Sequence, residues 1–357
     1  MKRVKKEEVK TESATIGAFK KEFDVCAIGN AMVDVLAYAD ASLLKKHGLT
    51  KGSTTLIDEQ KAAALYKEMG AATECSGGSA GNTISGIASL GAKTAYIGKV
   101  RNDKLGEIFK HDMRAQGIYY NTLPAVMGKS TAQCLVFVTS DGDSKVKSKN
   151  VERTMATFLG ACQALTRYDI DSEIIRNSKV CYAEGYLWDI EDAREAVRKA
   201  VYLAHENNRV FAFTLSDPFC VTRHREEFME LLTSGSIDIL FANEHEITAM
   251  FEETNLQKIL MRLSKLCRVA ACVTRSSKGS VIVDHEGNVY DIEAERVAEV
   301  YDVTGAGDLY AAGVLYGYVQ GYDWYTCGRL GSLAASEVIK YLGGRPLTKL
   351  STLLEKI

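Results

Sequence analysis

The chain has 357 residues, 46% hydrophobic and 25% charged, with a formal net charge of −2. That length allows one large core or two domains, and the balance is that of an ordinary globular chain. The near-neutral charge gives no support for a nucleic-acid partner, and no apolar run reaches the roughly 18 residues of a membrane span. The nine cysteines form no C-x-x-C pair and the six histidines show no metal-ligand spacing, which points to reduced thiols in a cytoplasmic protein without structural zinc.

Residues 1–22 are rich in Lys and Glu and lack an apolar signal core, so they are expected to form a charged, disordered tail. Phe23 to Gly29 reads as a buried strand, followed by an apolar stretch interrupted by Asn30 and Asp34. Leu43 to Gly48 looks helical, Ser53 to Ile57 β-prone, and Asp58 to Met69 helical with Asp58 as cap. A glycine-rich segment, Gly77-Gly78-Ser79-Ala80-Gly81-Asn82, precedes a small-residue helix over Ile84 to Leu90. Thr94 to Val100 reads as a strand and Asp103 to Gln116 as a helix. Thr131 to Ser140 is a strand ending in the hairpin signal Asp141-Gly142.

Strand and helix then alternate. Val180 to Tyr186, Val210 to Leu215, Ile237 to Ala242, Val269 to Thr274 and Val281 to Asp284 read as strands. Ala193 to Asn207, Arg225 to Leu232 and Glu244 to Phe251 read as helices, and Asp308 to Tyr341 is mostly helical. This alternation predicts an α/β fold: a mainly parallel sheet with helices on both faces. The β-rich pieces near 34–58 and 118–140 fall outside it and are expected to form a small β lid inserted into a domain spanning 23–357.

Asp302-Val303-Thr304-Gly305-Ala306-Gly307-Asp308 carries the most chemistry. A glycine-rich turn opening an apolar helix aims free N–H groups, here those of Gly305, Ala306 and Gly307, at one point. That point suits a phosphoryl group, and Asp308 beside it is placed to take a proton from an attacking hydroxyl. Gly77 to Asn82 allows close approach of a ligand to backbone, with Ser79 and Asn82 as polar contacts. Asn243-Glu244-His245-Glu246 follows a strand, where Glu246 is placed to hold Mg²⁺ directly or through water, or simply to start a helix. No Walker loop and no G-x-G-x-x-G fingerprint is present.

Together these segments resemble the ribokinase, or pfkB, family of sugar and nucleoside kinases over nearly all of 23–346. Gly77 to Asn82 is similar to the family's first signature. Asp302 to Asp308 is similar to its second, and Asn243 with Glu246 to its N-x-x-E motif. Ile28 to Asp34, Asn207 to Phe219 and Asp238 to Glu244 look most like the adenosine-phosphorylating branch.

The resemblance implies a three-layer α/β/α core with a β lid, ATP with Mg²⁺, and a monovalent cation such as K⁺ near Asp302. It also implies that Asn30, Asp34, Gly78, Ser79 and Asn82 bind substrate. Asn243, Thr274, Arg275, Gly279 and Arg153 would contact ATP. It allows a monomer or a homodimer formed through the lid. Within the family a kinase of a free sugar is the alternative, and a non-catalytic nucleoside binder is a second. Three departures stand out: Val303 for the usual Thr, Ser276 after the strand ending at Thr274, and Thr54 where a base-reading Gln would sit. The Lys-rich stretch Asp143 to Glu152 reads as a solvated hairpin extension that displaces Arg153 from its usual spacing.

Overall fold

The computed structural model describes residues 22–140 and 151–357, so all of the expected tail but Glu22 and most of the hairpin extension lie outside it. In chain order its strands are β1 (Phe23–Ile28), β2 (Met32–Tyr38), β3 (Thr54–Leu56), β4 (Thr73–Gly77), β5 (Thr94–Ile97), β6 (Tyr119–Tyr120) and β7 (Ala132–Ser140). They continue with β8 (Val151–Phe158), β9 (Ser178–Glu184), β10 (Val210–Thr214), β11 (Ile239–Asn243), β12 (Ala270–Thr274), β13 (Ser280–Asp284) and β14 (Val289–Ile292). Nine form one sheet in the order β14-β13-β12-β11-β10-β9-β1-β5-β6. From β6 to β12 every neighbour is parallel, and β13 and β14 close that edge as antiparallel strands.

Parallel strands covered on both faces must be apolar on both faces, and β1 is. Val25 and Ala27 enter a core shared with the helices Ser79–Leu90, Ala306–Gln320 and Trp324–Val338. Cys26 and Ile28 enter the opposite core with the helices Glu191–Glu206, Pro218–Thr233 and Leu256–Leu266. The result is the ribokinase-like three-layer fold.

The second sheet has the order β3-β8-β7-β2-β4. Its extent differs from the expected lid segments. Tyr119–Tyr120 pairs with β5 in the large sheet, while β4 and β8, outside the expected ranges, belong to the small one. The strand β4 runs into the glycine-rich segment at Gly77 and pairs with β2, a pairing not read in the sequence. Helix Leu256–Leu266, capped by Asn255, also goes unread in the sequence, and the helix expected from Arg225 follows a break at His224, after a first stretch from Pro218 that Asp217 caps.

Helices Ala306–Gln320 and Trp324–Val338 touch backbone to backbone. A Cβ on Gly313 would lie 2.6 Å from Gly331 Cα, with nothing flexible to yield. Gly313→Val should therefore destabilise the protein by at least about 1–3 kcal/mol, the usual cost of overpacking. Thermal unfolding checks it, and an unchanged midpoint would show that the helices can part freely.

Candidate active site

The glycine-rich turn is built as its sequence demands. Gly305 adopts φ 75°, and a Cβ there would lie 2.7 Å from Gly344 Cα. Thr304 N–H donates to Asp302 Oδ1 at 3.0 Å, and Ala306 N–H donates to the Val303 carbonyl at 3.2 Å. Of the three expected donors, Ala306 is thus the one whose N–H closes the turn. The N–H groups of Gly305, Gly307 and Asp308 have no acceptor among the described residues. They stand at the N-terminus of a 15-residue helix, where the dipole favours an anion.

Asp308 lies in the first turn of that helix. Its carboxylate accepts from Ser79 Oγ at 2.7 Å and from Asn82 Nδ2 at 2.9 Å. Both donors sit in the first turn of helix Ser79–Leu90. The two helices can approach because Gly86 has no side chain, since a Cβ there would meet Leu309 Cδ1 at 2.6 Å and Ala312 Cβ at 2.7 Å. Burial raises the Asp308 carboxyl above its ordinary value, against the lowering effect of Ser79, Asn82 and Arg345. Ser79 and Asn82, expected as substrate contacts, are brought together on Asp308 and orient it.

Asp34 lies on β2, on the face opposite Val33 and Val35. Burial pushes its carboxyl up to about 6, with Arg345 and Arg153 opposing and Asp308 adding like charge. Gly77 makes room for it, as a Cβ there would lie 2.3 Å from the Asp34 carboxylate. Gly78, at φ 86°, packs on the Asn30 carbonyl.

Two residues that hold this side were not singled out in the sequence. Glu184 ends β9 and is fully buried. It accepts from Asn30 N–H at 2.8 Å and Ala80 N–H at 2.7 Å, so it ties the β1–β2 connection to the start of helix Ser79–Leu90. Burial raises its carboxyl to about 7. Arg345 donates to the Ser76 carbonyl at 2.9 Å and to Ser76 Oγ at 3.0 Å, and its buried Nη1 has no partner. The usable signals were a carboxylate closing an apolar strand and an arginine after Gly343-Gly344.

A cavity of about 280 Å³ opens at the carboxyl ends of β10, β11 and β12. Asp308, Gly305 and Gly307 form its wall with Ser79, Thr214 and Ser216. Asn243, Glu246 and Thr274 also line it, as expected for parallel sheets. Asn243 and Glu246 form a reciprocal capping box: Asn243 Oδ1 accepts from Glu246 N–H at 2.9 Å, and Glu246 accepts from Asn243 N–H at 2.9 Å. Burial raises the Glu246 carboxyl to about 7.

The remaining expected ATP contacts lie elsewhere. Arg275 is drawn to Asp291 at 3.3 Å. Gly279, at φ 84°, closes the β12–β13 hairpin against the Ile292 carbonyl. Arg153 pairs with Asp302 and the Thr304 hydroxyl. Among the described residues, no three His, Cys, Asp or Glu side chains are grouped to hold a metal ion, and no helix is long and apolar enough to cross a membrane.

The sequence pattern of the pfkB family carbohydrate kinases matches residues 23–350. The chain is 46% identical to a solved adenosine kinase from Sinorhizobium meliloti, covering 94% of this chain and 99% of that one with a TM-score of 0.84. It is 44% identical to a probable sugar kinase from Rhizobium etli, with coverage of 94% and 98% and the same TM-score of 0.84. Adenosine kinase from Saccharomyces cerevisiae is 26% identical over 337 residues, which are 88% of this chain and 94% of that one. With the glycine-rich turn and the fold in agreement, this chain belongs to the pfkB family of carbohydrate kinases.

Proposed function

We propose that this kinase transfers the γ-phosphoryl group of ATP to a primary hydroxyl of a nucleoside, with adenosine converted to AMP as the leading reaction. The observation that carries the reading is Asp308: its carboxylate, held by Ser79 and Asn82, stands beside three free N–H groups at a helix N-terminus. A base next to an anion site is what phosphoryl transfer to an alcohol needs. The hydroxyl loses its proton to Asp308 as its oxygen bonds to the γ-phosphorus. The bond to the β,γ-bridging oxygen breaks and ADP leaves. Gly305, Gly307 and Asp308 N–H groups stabilise the charge on the transferring group.

Both Glu246 oxygens already accept from Asn243, through its N–H and its amide, so Glu246 would meet a magnesium ion carried on the nucleotide only through water, with the phosphates as the ion's direct ligands. That ion would neutralise phosphate charge. Asp34 supplies a bidentate acceptor for a sugar diol, its carboxyl desolvated beside Arg345. The nucleoside reading is favoured by the register of the small sheet. Leu36 and Met155, flanking the buried Val136 two residues along from Asp34, are half-buried and offer apolar contact for a base. The similarity to an adenosine kinase at 46% identity points the same way. The nine free cysteines, eight of them buried, suit a reducing cytoplasm.

Asp308→Asn should lower kcat by about 10²- to 10⁴-fold, the usual contribution of a general base, with substrate affinity nearly unchanged. Turnover close to wild type would remove Asp308 from the role. It would also reopen the reading of the site as a non-catalytic nucleoside binder.

Asp34 and Asp308 are both raised, and both act ionised. Activity is therefore present at neutral pH, and kcat/KM should fall as pH drops through about 6, where Asp34 takes up its proton, with the raised Asp308 carboxyl adding to the acid limb. A flat profile across that range would show that neither proton matters.

Adenosine should outcompete ribose in kcat/KM by a wide margin, because base contacts supply binding energy that positions the 5′-hydroxyl. With both present at equal concentration, preferential loss of ribose, or phosphorylation of free sugars alone, would overturn the adenosine reading and leave the kinase fold intact.

A further inference from the structure

Asp302 is where the family resemblance implies a monovalent cation, and the residues present do not fit one. Its Oδ2 accepts from Arg153 and from Gly343 N–H at 2.8 Å, and its Oδ1 accepts from Thr304 N–H at 3.0 Å. Arg153 also donates to the Thr304 hydroxyl. The side chains of Arg153 and Asp302 are only 10% and 4% exposed. A potassium ion needs several oxygens with free lone pairs, whereas here both carboxylate oxygens already face N–H donors. A carboxylate buried this far requires a positive partner, and a guanidinium meets that need with fixed geometry.

We propose that Arg153 is the built-in cation of this site, replacing a monovalent metal ion at Asp302 and tying the small sheet to the anion turn. Arg153 is on β8, opposite Val138, and Asp302 opens the turn that leads to Asp308. The other side of that loop is anchored through Tyr301 N–H and Asp302 N–H to the Ile339 carbonyl, at 2.8 Å and 3.2 Å. The pair thus holds the loop from the lid side, while Ile339 holds it from the core. Arg153 acts through Asp302 and Thr304 and is a positioning residue. The expected ATP contact by Arg153 is replaced by this role.

The test compares potassium chloride with choline chloride at equal ionic strength, by thermal unfolding and by turnover. The turnover arm rests on the kinase reading. The unfolding arm needs no substrate, so the two can fail separately. Wild type should show the same unfolding midpoint in both salts and comparable turnover. Arg153→Met should lower the midpoint by several degrees in choline chloride, because it strands a buried carboxylate, and potassium should recover part of the loss. Arg153→Lys keeps a charge and should remain indifferent to the salt, a control that holds even if Arg153→Met fails to fold. A potassium-specific rise in the wild-type midpoint, or an Arg153→Met protein that responds equally to both salts, overturns the proposal.

Discussion

The site depends on one contact across the fold: the Asp308 carboxylate held by Ser79 and Asn82, 229 and 226 residues away in sequence. It exists only because two helix N-termini meet, and they meet only because their packed faces are small. Gly86 lets helix Ser79–Leu90 close on Leu309 and Ala312. Gly313 and Gly331 let Trp324–Val338 close on the other side of Ala306–Gln320. That central helix is apolar around most of its circumference because it is enclosed on both sides, so its sequence shows no amphipathic stripe. Packing therefore comes first here: the small residues set the helix spacing, and the spacing sets where the Asp308 carboxylate stands.

The electrostatics follow from the same crowding. Asp34, Glu184, Glu246 and Asp308 are four carboxylates whose protons are all held more tightly than in water, and burial is the largest cause for each. With folded values near 7 against an ordinary 4.5, Glu184 and Glu246 retain protons that the unfolded chain has already lost. The contribution of these two groups to stability is therefore greatest below the ordinary value and declines as pH rises from about 4.5 through 7. A site that collects buried acids lowers the stability of the fold around it, which is common where function sets the arrangement. Arg345 and Arg153 limit that cost by lowering the Asp34 carboxyl.

The alternation of apolar runs with helical periods was enough to read the large sheet, because parallel strands buried on both faces leave unbroken hydrophobic signals such as Val25 to Ile28. The anion turn was legible for a different reason: its glycines and terminal carboxylate act within seven consecutive residues. The small sheet was harder. Its pairings join β2 to β4 and β7, and β3 to β8, across long stretches of chain, and the short β4 carries polar residues on both faces. Glu184 was hidden more deeply, since its partners Asn30 and Ala80 are 154 and 104 residues distant. Nothing local marks a carboxylate that serves backbone amides so far away.

Capping residues show how one motif can answer to two demands. Asn243 and Glu246 satisfy the helix N-terminus through their reciprocal box, which alone would account for both residue types. The same geometry leaves Glu246 in the cavity wall with its carboxyl raised to about 7. Local folding and a role in the cavity therefore do not compete at these positions, and the capping bond is what holds the carboxylate rigid. The opposite holds at Gly279, where a positive φ and the closeness of Ile292 use up the residue in shaping a hairpin. A glycine near a cavity is informative only after its backbone demands are known. For Gly305 those demands place neighbouring N–H groups toward the cavity, and for Gly279 they do not.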